Sequence, residues 1–308
     1  MHFQDKKVLI VGDVGVDSYI HGKCPRLCPE GPVPVFVPQR TEMRLGLAAN
    51  VALNVATLGG QARVISVVGN DMSGRVLADE FDKANVGFYP VVEFDRPTTL
   101  KSRYVSDWHL LLRVDEEQTA PVSESTQSLL VKKIRDHIEW SDIVVVQDYA
   151  KGVIVEPVMK ALIREAVLTG KEVVVDPNLK QEPSLYYGAS YVTPNKAEAD
   201  EMARRMHLNS YSQVRKTLGL KGLVVTLSAD GMAVYQEEDV DTIPAIRREV
   251  HDVCGAGDTV TATLALSLAN GYPIREAARI ANAAASVVVG KFGTSTLNIE
   301  ELRSVLNG

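Results

Sequence analysis

Short apolar runs recur along the chain and alternate with longer segments in which the apolar residues have helical spacing. The runs are rich in valine and isoleucine and lie at 7–13, 62–69, 142–148, 172–177 and 222–227. Strands that are buried on both faces of a parallel sheet have this composition. Helices are predicted between the runs, at 48–58, 74–85, 155–169 and within 195–218, and the segment 256–307 is predicted to be nearly all helix. These repeated βα units predict an α/β fold with a doubly wound, mostly parallel sheet flanked by helices.

Two stretches interrupt the alternation, at about 14–40 and 88–114, and are predicted to be extended chain with little helix. Within the second stretch, 98–106 alternates polar and apolar residues, and another strand-like segment follows it. We expect these stretches to form a small antiparallel sheet, a lid outside the main sheet. Its apolar face needs cover, which predicts a homodimer through the lid. No linker or internal repeat is visible, so 1–308 is expected to be one domain that contains this lid.

Composition and charge exclude several classes of protein. Of the 308 residues, 45% are hydrophobic and 23% are charged, and the formal net charge of -6 offers no general attraction to nucleic acid or to anionic lipid. We therefore expect neither as a partner. No stretch is long enough to span a membrane, and three cysteines suggest a reducing compartment, so a cytoplasmic location is expected. Cys24 and Cys28 lie near His21, but no second ligand pair follows at zinc-site spacing, which favours free thiols.

The segment 251–259, His-Asp-Val-Cys-Gly-Ala-Gly-Asp-Thr, directly precedes a predicted helix and carries the strongest chemical signal. Gly255 and Gly257 allow close approach of the backbone to a ligand, and the free amides of a first helical turn attract an anion. Asp258 would repel a bound phosphate unless it acts on a neighbouring hydroxyl, as the base in phosphoryl transfer does. The alternative is that Asp258 is an ordinary residue of a helix N-terminus, after a tight glycine turn.

The segment 251–271 resembles the C-terminal signature of the ribokinase-like (PfkB) carbohydrate kinases. Seven further segments match that family in order, at 12–22, 26–36, 47–60, 147–153, 175–178, 193–200 and 281–296. The resemblance covers nearly the whole chain and is greatest to the heptose 7-phosphate kinases of ADP-heptose synthesis. It implies ATP-dependent phosphorylation of D-glycero-D-manno-heptose 7-phosphate at the anomeric hydroxyl. A kinase for ribose, fructose or adenosine and a catalytically weak sugar-binding protein remain as alternatives. The kinase accounts for all 308 residues, so a single-function chain without a second nucleotidyltransferase domain is expected.

The resemblance assigns the chemistry of phosphate transfer to three groups of residues. Asp258 would be the catalytic base, and the amides of Gly255, Ala256 and Gly257 would form an anion hole. Asn195 and Glu198 would order Mg²⁺ around ATP through water, although the same pair also fits a helix N-cap and its first turn. Several relatives bind a monovalent cation, so the resemblance allows a potassium ion near Asp252 and the turn 291–296.

The remaining predicted contacts bind the two substrates. The resemblance makes Asp17, Gly46 and Asn50 ligands of the sugar, whereas Asp13 is expected to order a loop. Lys101 and Arg103 lie on alternate positions of the lid and are predicted to hold a substrate phosphate. Asp148 and Lys151 follow a buried strand, where Lys151 either pairs with Asp148 or approaches phosphate, and Asp176 follows the next strand and supports the metal. The resemblance places the nucleotide against Asn195, Ser228, Gly231, Gly255, Gly257, Asn282 and Gly293.

Four positions depart from the family pattern. Leu47 replaces the second glycine of the sugar motif and is expected to intrude where the backbone meets the sugar. Trp108-His109-Leu110 replaces a polar stretch, and Asn178 stands where a lysine is common. Cys254 replaces a threonine, which backbone recognition should tolerate. The departures thus affect the identity of the sugar more than the reaction.

Overall fold

The computed structural model describes residues 3–107, 109–237 and 239–307. The strands in chain order are β1 (Lys7–Gly12), β2 (Val14–Leu27), β3 (Pro34–Leu47), β4 (Gln61–Val68), β5 (Gly87–Val92), β6 (Thr99–Ser106), β7 (His109–Glu116), β8 (Ile143–Gln147), β9 (Glu172–Asp176), β10 (Tyr191–Val192), β11 (Gly222–Thr226), β12 (Met232–Gln236) and β13 (Asp239–Ile243). The helices are α1 (Ala48–Thr57), α2 (Met72–Lys83), α3 (Glu124–Ile138), α4 (Glu156–Thr169), α5 (Lys196–Arg205), α6 (Tyr211–Thr217), α7 (Ala256–Ala269), α8 (Ile274–Val288) and α9 (Ile299–Leu306). Short 3-10 turns occur at Pro183–Tyr186 and Ser228–Asp230.

Across the described residues, the larger sheet has nine strands in the order β13-β12-β11-β10-β9-β8-β1-β4-β5. All pairs from β5 to β11 are parallel, whereas the β11–β12 and β12–β13 pairs are antiparallel. The predicted doubly wound α/β fold is therefore confirmed. Because the strands are parallel, the carboxyl ends of β1, β8 and β9 meet at one edge, where Gly12, Gln147 and Asp176 lie in register.

Apolar side chains of the central strands alternate between two cores, one on each face of the sheet. In β1, Val8 and Ile10 pack in the core that α1, α7 and α8 cover, and Leu9 and Val11 pack in the core that α3 and α4 cover. Burial on both faces explains why these strands have continuous apolar sequences instead of alternating ones.

The smaller sheet, which we call the lid sheet, has the strand order β3-β2-β6-β7. The β2–β3 and β6–β7 pairs are antiparallel as predicted, but β2 and β6 pair in parallel, so the prediction of a purely antiparallel sheet is wrong. The predicted lid boundaries also need correction, because β3 extends to Leu47 and β7 to Glu116. Residues 88–92 do not belong to the lid at all. They form β5, which pairs with β4 at the edge of the larger sheet.

Strand β7 of the lid sheet exposes a run of large apolar side chains. On β7, Leu110, Leu111, Leu112 and Val114 are 57%, 44%, 55% and 39% exposed. Trp108, which departs from the family pattern and directly precedes β7 in sequence, lies outside the described residues. Among the described residues, no helix combines the length and the apolar character that crossing a bilayer requires. The cytoplasmic location expected from the sequence stays a prediction.

Candidate active site

The N-terminus of α7 opens into a cleft at the carboxyl edge of the larger sheet. Gly255 is its N-cap with φ of +77°, a conformation that favours glycine. A Cβ on Gly255 would lie 2.8 Å from the side-chain nitrogen of Asn50, whereas one on Gly257 would meet nothing within 4 Å. The amide of Ala256 donates to the carbonyl of Val253 at 3.3 Å. Within the described chain the amides of Gly255, Gly257 and Asp258 donate to no protein atom, so these three, and not Ala256, are available to an anion.

Asp258 lies in the first turn of α7, is only 5% exposed, and is held by three donors. Its Oδ2 accepts from Asn50 Nδ2 at 2.8 Å, and its Oδ1 accepts from the Tyr149 hydroxyl at 2.5 Å and from Gln147 Nε2 at 3.2 Å. Burial raises the pKa of Asp258 to about 6, while the bonds from Asn50 and Tyr149 lower it and the charge of Asp17 raises it. A carboxylate with a pKa near neutrality is suited to accept a proton from a hydroxyl.

The same cleft continues past Gln147 to two further carboxylates. Gln147 Nε2 also donates to Asp176 Oδ2 at 2.5 Å, which links Asp176 to Asp258. Burial, together with the charges of Glu198 and Asp258, raises the pKa of Asp176 well above its ordinary value. Asp148 is buried and accepts from Ala150 N and the Tyr186 hydroxyl, and burial and the charge of Asp13 raise its pKa to about 7.

Asn195 and Glu198 form a capping box at the start of α5. Asn195 Oδ1 accepts from the amide of Glu198 at 3.0 Å, and Glu198 Oε2 accepts from the amide of Asn195 at 2.8 Å. Both residues line a cavity of about 200 Å³ together with Asp148, Asp176 and Gly257. The helix cap that the sequence offered as an alternative is therefore present in the structure. In this cap, Asn195 and Glu198 also face the glycine turn of α7. Oxygen ligands of this kind fit Mg²⁺, which keeps several waters and binds nucleotide phosphate.

On the lid side, Asp17 of β2 lies against two predicted neighbours. A Cβ on Gly46 would lie 3.0 Å from the Asp17 carboxyl carbon, which explains the glycine. Asp17 Oδ1 accepts from Arg103 at 2.6 Å and its Oδ2 accepts from the Thr294 hydroxyl at 2.8 Å. Asn50 is 1% exposed and bonds to Asp258, so it is not the surface helix residue that its sequence context alone suggests.

The lysines predicted to bind phosphate meet at a residue that the sequence did not single out. Lys101 Nζ donates to Asp115 at 3.0 Å and to Glu117 at 3.2 Å, and Lys151 Nζ donates to the other oxygen of Glu117. A salt bridge between Lys151 and Asp148 is therefore not formed, and that alternative is wrong. As expected, Asp13 orders the loop, since its carboxylate accepts from the amides at 149, 151 and 153.

The other residues predicted to contact the nucleotide lie in the turn after β11, on α8 and in the turn 291–296. Ser228 is exposed, and Gly231 (φ +90°) faces Ile243, whose carbonyl oxygen would lie 2.0 Å from a Cβ. Asn282 is buried and donates to the carbonyl of Pro244 at 2.9 Å. The turn 291–296 reaches the glycine loop through Asp252, which accepts from the amides of Cys254 and Gly293 at 2.9 Å and 3.0 Å.

Among the departures from the family pattern, Leu47 is placed differently from the expectation. Leu47 keeps a glycine-like backbone with φ of +58°, but its side chain is only 8% exposed and contacts Gly15. It is buried and does not intrude into the cleft. Asn178 lines the small cavity beside Asp176. Partial desolvation and the neighbouring Asp252 carboxylate raise the pKa of the exposed Cys254 thiol to about 11. Across the described residues, no group of three or more histidine, cysteine or acidic side chains is placed to hold a metal, which includes His21, Cys24 and Cys28.

Sequence reasoning missed Gln147, Tyr149, Glu117 and Thr294. Gln147 and Tyr149 flank Asp148 at the end of a buried strand, and this position was the available signal. Glu117 and Thr294 had no local signal, because their partners lie on other elements.

The sequence matches the family described as "pfkB family carbohydrate kinase" over residues 6–301. The bifunctional protein HldE of Wolinella succinogenes is 39% identical over 308 residues, which cover 97% of this chain and 64% of that protein. HldE of Paramagnetospirillum magneticum is 40% identical over 304 residues, which cover 96% of this chain and 62% of that protein. The chain thus spans less than two thirds of the length of these relatives.

Solved kinases of low sequence identity share the fold. The phosphofructokinase-2 from Escherichia coli in complex with potassium has a TM-score of 0.83 at 21% identity, with 99% of both chains covered. The ribokinase of Arabidopsis thaliana complexed with ribose and ATP has a TM-score of 0.76 at 20% identity, covering 99% of this chain and 100% of that chain. At these identities the likeness establishes a ribokinase-like fold and nothing finer.

Proposed function

The chain belongs to the pfkB family of carbohydrate kinases, and from this premise we propose that it phosphorylates D-glycero-D-manno-heptose 7-phosphate. The γ-phosphoryl group of ATP would pass to the anomeric hydroxyl and give the 1,7-bisphosphate. One observation carries the proposed chemistry: a buried carboxylate, Asp258, lies in the same helical turn as the unpaired amides of Gly255 and Gly257. The likeness to the HldE proteins supports the heptose, because it extends over nearly the whole chain.

In this mechanism Asp258 accepts the proton of the anomeric hydroxyl while that oxygen attacks the γ-phosphorus and ADP leaves. The unpaired amides at the start of α7 stabilise the charge of the transferring group, and the helix dipole adds to this effect. Asn50 and Tyr149 hold the two oxygens of Asp258 and so fix the direction of the base. Asp17 and Asn50 orient the sugar hydroxyls.

Asn195 and Glu198 would hold Mg²⁺ through water, with Asp176 as a supporting carboxylate. When bound, the ion neutralises negative charge on the phosphates of ATP. The nucleotide would lie against Ser228, Gly231, Asn282 and the turn at Gly293. The carboxylate of Asp252 would supply an oxygen ligand for a potassium ion at that turn.

The lid supplies the remaining parts of the proposal. Lys101, Arg103 and Lys151 would bind the 7-phosphate. The exposed apolar residues of β7 would be covered by the lid of a second copy, because an apolar sheet face of this kind favours association.

The test compares the turnover of a panel of acceptors at a fixed ATP concentration. Turnover is measured as the rate of ADP release. We expect heptose 7-phosphate to have a higher kcat/KM than fructose 6-phosphate, ribose, fructose and adenosine. Asp258→Asn is expected to abolish turnover while ATP still binds, because the amide retains the shape but not the basicity. Higher kcat/KM with another acceptor would refute the heptose, and equal turnover by Asp258→Asn would refute the base.

A further inference from the structure

Lys101 and Lys151 come from different parts of the fold and meet at one carboxylate. Lys101 lies on β6 of the lid sheet, and Lys151 lies in the loop after β8 of the larger sheet. Each of the two oxygens of Glu117 accepts from one of these lysines. The side chains of Lys101, Lys151 and Glu117 are 14%, 13% and 20% exposed. Like charges repel in such a sheltered place, so the ammonium groups stay together because a carboxylate lies between them.

One arginine anchors the backbone next to both Glu117 and Lys151. The guanidinium of Arg96 donates to the carbonyls of Gln118 at 3.1 Å, Lys151 at 2.8 Å and Ala120. Arg96 is 7% exposed and pairs with Glu93 at 2.7 Å. A single buried group therefore ties the chain on both sides of the Glu117–Lys151 ion pair. The backbone that carries Glu117 and Lys151 is therefore anchored at both residues' neighbouring carbonyls.

The lysine pair faces the proposed acceptor site. Lys101 is directly opposite Asp17 in the β2–β6 register, and the adjacent Arg103 on the same face bonds to Asp17. Lys151 follows Tyr149, which bonds to the catalytic base, by two residues. A sugar whose hydroxyl lies at Asp258 and whose other hydroxyls lie at Asp17 would therefore extend toward these lysines.

The pair also retains unused donors. An ammonium group has three N–H donors. Lys101 donates to Asp115 and Glu117, and Lys151 donates to Glu117, so some donors of both remain available. Although burial opposes it, the hydrogen bond from Lys151 and the charge of Lys101 lower the pKa of Glu117. The carboxylate is thus ionised at neutral pH, and its two oxygens accept from both lysines.

We infer that Glu117 is a positioning residue, which holds Lys101 and Lys151 together as the binding site for the distal phosphate of the acceptor. The inference rests on the proposed function, in that the acceptor is a phosphorylated sugar whose hydroxyls lie at Asp258 and Asp17. Glu117 does not touch that phosphate. It sets the separation of the two ammonium groups that do, and Arg96 sets the position of Glu117.

The test is Glu117→Gln, which keeps the side-chain size but turns one oxygen into an NH₂ group that repels a lysine. KM for the phosphorylated acceptor should rise about tenfold, with a much smaller change in kcat, because the loss affects binding of a remote group. KM for the same sugar without its phosphate should not change. Glu172→Gln is the matched control, since Glu172 pairs with Lys221 at 2.8 Å at the opposite end of β9. It should change neither KM.

Calorimetric titration of the sugar phosphate without ATP gives a readout that does not depend on turnover. Glu117→Gln should weaken this binding about tenfold, in parallel with KM. If fructose 6-phosphate proves to be the acceptor and Glu117→Gln still raises its KM selectively, the heptose is wrong and the inference stands. If heptose 7-phosphate is the acceptor and Glu117→Gln binds it as well as or better than the wild type, the inference is overturned. An equal effect on phosphorylated and unphosphorylated sugar also overturns it.

Discussion

The hydroxyl of Tyr149 is expected to set the lower end of the pH range in which the enzyme is active. It donates to Asp258 Oδ1 at 2.5 Å. Burial and the charges of Asp258 and Asp176 raise the pKa of Tyr149 well above its ordinary value, so this hydroxyl is a donor throughout the working range. The bond stabilises the ionised form of Asp258, and Tyr149→Phe removes it without removing the ring.

The size of the effect follows from the strength of that bond. A hydrogen bond to a charged group is worth about 1.5–3 kcal/mol, and 1.36 kcal/mol corresponds to roughly one pKa unit. Asn50 and Gln147 still donate to Asp258 in the variant, so we take the lower energy of this range. We therefore expect the pKa of Asp258 to rise by about one unit. The pKa of Asp258, about 6 in the intact protein, would then be about 7 in Tyr149→Phe. Catalysis needs the ionised carboxylate, so kcat/KM should fall about ninefold at pH 5 and hardly at all at pH 8.

The assay is kcat/KM for the sugar acceptor at saturating Mg-ATP, measured from pH 5 to pH 9. Tyr186→Phe is the matched control, because its hydroxyl donates at 3.0 Å to Asp148 and not to the base. The control should leave the acidic limb of the profile in place. If Tyr149→Phe lowers kcat/KM by the same factor at every pH, Tyr149 does not stabilise the ionised base and the reasoning is refuted.

Three further predictions concern the glycine turn, the buried arginine and the lid. Gly255→Ala should destabilise the protein by about 1–3 kcal/mol in urea unfolding, because of its φ of +77° and the contact with Asn50, whereas Gly257→Ala should not. Arg96→Met should cost about 3–5 kcal/mol in the same measurement, since it removes the donor of three carbonyls and the salt-bridge partner of Glu93, which keeps its hydrogen bonds from Ser123 and Thr126; a loss below about 1 kcal/mol would contradict the role we give it. Leu112→Glu should convert a dimer to a monomer in light scattering, whereas Val167→Glu, an exposed apolar position on α4, should not; a wild-type monomer would disprove the lid dimer.

Local sequence was sufficient for most of the larger sheet and for the chemistry of the glycine turn. The apolar runs of β1, β4, β8, β9 and β11 are continuous because both faces are buried, and that signal does not depend on strand order. The turn at Gly255 and the capping box at Asn195 are also local, since their geometry is set within four or five residues. These features could be predicted with no knowledge of what lies beside them.

β5 shows where local patterns fail. It contains Pro90, which cannot donate to a sheet ladder, and most of its side chains are only half-buried. Both features suit an edge strand, and neither tells which sheet has that edge. The pairing with β4 depends on how the chain crosses the fold, so residues 88–92 were assigned to the lid.

Which side chains bond to one another was likewise decided only by the tertiary structure. Asn50 approaches Asp258 from α1, and Gln147 and Tyr149 approach it from the end of β8 and the loop that follows, all across sequence separations of more than one hundred residues. Lys151 pairs with Glu117 and not with the nearby Asp148, because Asp148 is buried and turned toward Tyr186. The sequence determined which groups the site contains. Strand order and burial determined which of them touch, because hydrogen bonds and ion pairs form between neighbours in space, and the chain folds residues far apart in sequence into those positions.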